Sequence, residues 1–85
     1  MNNQLHQTYV EMSVATAKIE RRANAAHAEF DRWLSRIKLA ERLGKPDLAR
    51  QARQRALQIA EREVKLRAFL VTQQDWLEAV RELAR

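Results

Sequence analysis

Apolar and small side chains return along the first forty residues at alternating steps of four and three. The series is Leu5, Tyr9, Met12, Thr16, Ile19, Ala23, Ala26, Phe30, Trp33, Ile37 and Ala40, with Thr16 its one polar member. Such steps average 3.5 residues and keep one narrow stripe on a single face of a supercoiled α-helix, the seam of a coiled coil. After a break the rhythm resumes as Ala49, Ala52, Ala56, Ile59, Glu63, Leu66, Leu70, Gln73, Leu77, Val80 and Ala84. Glu63 and Gln73 interrupt it, and polar seam residues set register when they find partners across the interface. The pattern predicts one all-α domain over residues 1–85, with helices at about 3–43 and about 47–84, each about 60 Å long at 1.5 Å per residue.

The break carries its own signals. Gly44 suits the left-handed residue just past a helix C-terminus. Lys45 precedes a proline and is pushed out of the helical region. Pro46 fits the first position of a new helix, and Asp47 sets a negative charge at the positive end of its dipole. Stop, turn and start within 44–47 predict a tight turn and therefore two long antiparallel helices forming a coiled-coil hairpin. Folding there brings Ile19 near Leu70 and Leu5 near Ala84. Alanines on the second helix near the turn permit close approach to Phe30, Trp33 and Ile37, and Phe30 and Trp33 are read as core.

The far half of the second helix is wider. Phe69, Trp76 and Leu83 form a second apolar row at intervals of seven, beside Leu66, Leu70, Leu77 and Val80. A face that broad exceeds what one helix covers, and a slim rod of this size buries little of its own surface. The expectation is self-association into a homo-oligomer and a larger helical bundle, or docking of another helical protein, through Phe69, Trp76 and Leu83. Trp76 is the leading contact, because aromatics are enriched at interfaces. The plainer alternative is that the row covers the ends of the first helix.

Composition narrows the chemistry. The single glycine and single proline both sit in the break, and good helix formers dominate elsewhere. With no cysteine there are no disulfides and no thiolate metal sites. His6 and His27 are 21 residues apart, about 31 Å along one helix, too far to share a metal, and both read as surface histidines. Glu20, Glu29 and Asp31 alternate with arginines and read as solvated, while Glu61–Lys65 and Glu63–Arg67 have the spacing of helix-supporting ion pairs. There is no glycine-rich phosphate loop, and Ser13 and Ser35 lack a neighbouring base. No catalytic, metal-binding or cofactor-binding residue is expected, and the chain reads as non-enzymatic. The longest bulky apolar run, Phe69-Leu70-Val71, is too short to span a bilayer, and the polar Met1-Asn2-Asn3-Gln4 shows no basic-then-apolar pattern of a signal peptide. A cytoplasmic location is expected.

The net charge of +5 is unevenly placed. Arg32, Arg36, Lys38, Arg42, Lys45, Arg50, Arg53 and Arg55 face only Glu41 and Asp47 in the turn region, a local net of +6. The remainder holds eight basic and nine acidic residues, a net of −1. A basic tip suits anionic membrane headgroups or an acidic protein, with nucleic acid ranked below them. The alternative is a solvated, solubilising end.

The stretch from Trp33 to Ala52, W-L-S-R-I-K-L-A-E-R-L-G-K-P-D-L-A-R-Q-A, resembles the hairpin turn of the PspA family. That family comprises the phage-shock-protein A and plastid vesicle-inducing proteins of the ESCRT-III-like fold. The matching positions are Trp33, Leu39, Ala40, Asp47, Leu48, Ala49, Arg50 and Ala52, flanked by a Ser/Ala-rich first arm and the basic pair Arg21-Arg22. The resemblance covers the hairpin module, about Glu11 to Leu83. It implies a non-enzymatic, self-assembling protein that acts at membranes under stress, peripheral to the inner face. The function expected is a self-associating interaction or assembly module. The alternatives are a binder of nucleic acid or anionic membrane through the basic tip, and a purely structural coiled coil.

Overall fold

The structure, a computed structural model, describes residues 2–85. Two helices, α1 (Asn2–Arg42) and α2 (Pro46–Ala84), fold back on each other into an all-α hairpin measuring 65 × 14 × 12 Å. The linker is Leu43–Lys45, and Pro46 and Asp47, the start signals of the expected turn at 44–47, open α2.

Backbone chemistry explains the sharpness of the turn. Gly44 has φ +66, the left-handed conformation that a Cβ disfavours. Its N–H donates to the Glu41 carbonyl (3.0 Å), and the Lys45 N–H donates to the Ala40 carbonyl (2.9 Å). This pair of bonds is the Schellman closure, which satisfies carbonyls the helix end would otherwise leave open. Lys45 adopts φ −112, ψ 78, outside the helical region, and Pro46 then begins α2 without needing an N–H donor.

The two seams meet along the whole length. Every seam position of both arms is buried or half-buried. Ala23 and Ile59 are fully enclosed, with Ala26, Ala49, Ala52 and Ala56 almost so. Cross-helix contacts His27–Glu63, Asn24–Arg67 and Glu29–Arg62 set the register. In that register Trp33 lies level with Ala56, Ile37 with Ala52, and Leu66 with Ala23, so large side chains face small ones and the axes come close. Thr16, the polar seam residue of α1, lies level with Gln73, and its Oγ1 is buried without a hydrogen-bond partner. Toward the open end Leu5, Tyr9, Met12, Leu77 and Val80 are only half-buried.

Candidate functional site

A seven-residue rhythm held in the seam from Ala49 to Ala84 keeps any other seven-residue row at a constant angle to it. The row immediately preceding the seam on α2 is Leu48, Arg55, Arg62, Phe69, Trp76 and Leu83. It lines one lateral face of the hairpin, opposite Leu43 of the linker and Arg36, Glu29, Arg22, Ala15 and Thr8 of α1. This face is apolar near the turn, ionic at its centre and apolar again at the open end.

Near the turn the face opens into a shallow groove of about 370 Å³. Trp33, Leu39, Leu43 and Leu48 provide apolar walls, and Ala40 and Ala52 the floor. Arg36, Lys45 and Arg55 form a cationic rim. The Arg36 guanidinium lies 4.3 Å from the centre of the Trp33 ring, a cation–π stack that holds the charge over the groove edge. Leu43 and Leu48 are at least half exposed and Leu39 nearly so. Residues of the seam alone do not reveal this patch. The leucines sit off the heptad positions, and only the fold-back brings Leu43 and Leu48 together.

The basic cluster of the sequence does not act as one surface. Arg36, Lys45 and Arg55 share the groove, whereas Arg53 lines a separate dip with Glu41, Gly44, Pro46 and Ala49, and Lys45 borders both. Lys38 and Arg42 face outward beside Ser35 and Glu41. Arg50 is held by Asp47 at 3.2 Å. Arg32 is exposed, one heptad before Leu39 on α1.

At the centre of the same face Glu29 reaches Arg55 and Arg62, 3.8 Å from each. Glu29 was expected to be solvated, but it bridges to α2 with its side chain only 29% exposed. On the opposite lateral face Glu63 receives a hydrogen bond from Arg67 Nε (2.8 Å) and pairs with His27 Nδ1 (3.2 Å). His27 is a surface residue, as its sequence suggested, yet it also joins the two helices and lies 3.7 Å from Asp31. The Arg67 hydrogen bond, then that from His27, hold the Glu63 carboxyl below its ordinary value against partial desolvation. Ser13 and Ser35 donate to the backbone carbonyls of Tyr9 and Asp31 within α1.

At the open end Phe69, Trp76 and Leu83 are 52%, 62% and 71% exposed. Trp76 shares a shallow dip with Thr72, Asp75 and Ala79. Among the described residues no three His, Asp or Glu side chains converge as metal ligands, and no helix is long and apolar enough to cross a membrane. No family model matches the chain, no curated protein matches it, and no solved structure matches its fold.

Proposed function

We propose that this chain is a non-enzymatic interaction module, a PspA-like helical hairpin that associates with copies of itself through the lateral face bearing Phe69, Trp76 and Leu83. The observation carrying this reading is the exposure of all three side chains, each more than half open to solvent on one face of a two-helix rod. Their full burial is worth about 1.5–3 kcal/mol for each aliphatic or Phe side chain, which the hairpin alone does not recover. The Trp33–Ala52 string supports the PspA-like part of the reading, and with it a location peripheral to a membrane face. Sedimentation of the wild-type chain beside Trp76→Glu tests the association. We expect the wild type to assemble and the variant to shift to monomer; two monomers would refute it.

A second reading is favoured by the tip groove. Leucine walls under a rim of Arg36, Lys45 and Arg55 suit an anionic, partly apolar surface such as a membrane interface better than duplex DNA, which offers phosphates but no apolar contact of this kind. Binding to anionic vesicles that weakens with salt, and is lost in Arg36→Glu with Lys45→Glu, would support it. Equal binding to neutral vesicles would remove it.

A further inference from the structure

We infer that two copies of this chain pair antiparallel along that lateral face, each copy's tip groove receiving the open end of the other. The inference rests on the self-association proposed above and gives it a geometry.

Chemical complementarity is the first support. The groove offers leucine walls and a cationic rim, within a segment of net charge +6. The open end offers Trp76 and Leu83, with Asp75 lining the dip beside Trp76. From Phe69 onward three acidic residues outnumber two basic ones. An indole and a leucine would fill the apolar groove while the carboxylate meets the rim.

Position along the rod is the second. The middle of α2 falls at Lys65. Leu48 and Arg55 lie 17 and 10 residues before it; Leu83 and Asp75 lie 18 and 10 residues after it. A two-fold axis through that level, perpendicular to the rod, therefore brings Asp75 level with Arg55 of the other copy and Leu83 level with its Leu48. Both ends are satisfied at once and the rods finish flush. Such an isologous contact closes on itself as a dimer.

Area is the third. The row from Phe69 to Leu83 spans about 21 Å at 1.5 Å per residue, so an end-only contact covers about 300 Å² per partner and falls short of a standard interface. A flush overlap along a rod 65 Å long and 12–14 Å across covers about 800 Å², the standard figure per partner.

The absence of cysteine makes the test direct. Gln51 lines the groove and Ala79 the dip, and the two-fold places them level on opposite copies. Gln51→Cys and Ala79→Cys chains, mixed and treated with a short flexible bis-maleimide, should give a covalent heterodimer, while each variant alone gives little. Self-linking of each variant alone would mean parallel pairing and overturn the geometry. A second measurement uses charge. Arg36→Glu and Asp75→Arg should each raise the dimer Kd about tenfold, and their combination in one chain should restore it. If Arg36→Glu associates like the wild type, self-association stands and this arrangement falls. If the wild type is monomeric at every concentration, the self-association reading itself falls.

Discussion

Gly44 carries more of the fold than its size suggests. Its positive φ is what lets Lys45 and Gly44 close back on Ala40 and Glu41. Beyond Gly44 itself and its two chain neighbours, no atom lies within 4 Å of where a Cβ would stand, so a substitution meets backbone strain and no clash. That strain is about 1–2 kcal/mol for an L-residue in the left-handed region, offset in part by the stiffer unfolded chain. Gly44→Ala should therefore lower Tm by about 4–8 °C at fixed protein concentration, and Gly44→Asn by less, since Asn tolerates this conformation. A thermal melt followed by circular dichroism decides it; an unchanged Tm for Gly44→Ala would mean that the turn relaxes to another form. The sequence makes this residue legible because glycine, a pre-proline lysine and proline follow one another. Thr16 is the contrary case. Its place on the seam is readable from spacing, but nothing in the spacing shows that its hydroxyl finds no partner.

Among the elements, the seam was the readable part. Alternating steps of four and three locate both helices to within about a residue, because burial of a single stripe leaves few other arrangements for a chain so rich in helix formers. Cross-helix roles were not readable in the same way. Glu63 stands out in sequence as a seam acid spaced to pair with Arg67, and Glu29 does not; only the register shows that Glu29 braces the lateral face and that Glu63 also meets His27. The Glu63 bridge has a pH signature. Its carboxyl is held below the ordinary value near 4.5, so the folded state binds its proton less readily than the unfolded chain. The stability it contributes is then fully present above the unfolded value and lost as pH falls through the lowered folded one. The stability difference between wild type and Glu63→Gln, measured by urea unfolding, should shrink as pH falls below 4.5. A difference that persists unchanged to pH 3 would show that the bridge contributes no pH-dependent stability.

Taken whole, the molecule is a rod whose two ends have different chemistry on one side. The groove was only half visible in the sequence: the arginines and Lys45 stood out by charge, but Leu39, Leu43 and Leu48 read as ordinary helix formers until the fold-back brought them round the rim. If the rods pair as inferred, folding and association are linked by mass action. The Tm of the wild type should climb with protein concentration, while that of Trp76→Glu should stay flat; a flat wild-type profile would argue for a lone hairpin. The three-residue linker has a further consequence, for the order of events in time. Closing so short a loop confines little chain, and each contact added outward from Ala40 and Ala49 then joins segments already held side by side. The hairpin can thus close like a zip from its turn, rung by rung, without searching for distant partners. Pairings at the open end, far apart along the chain, are reached last and at little extra entropic expense, which favours rapid folding despite their separation.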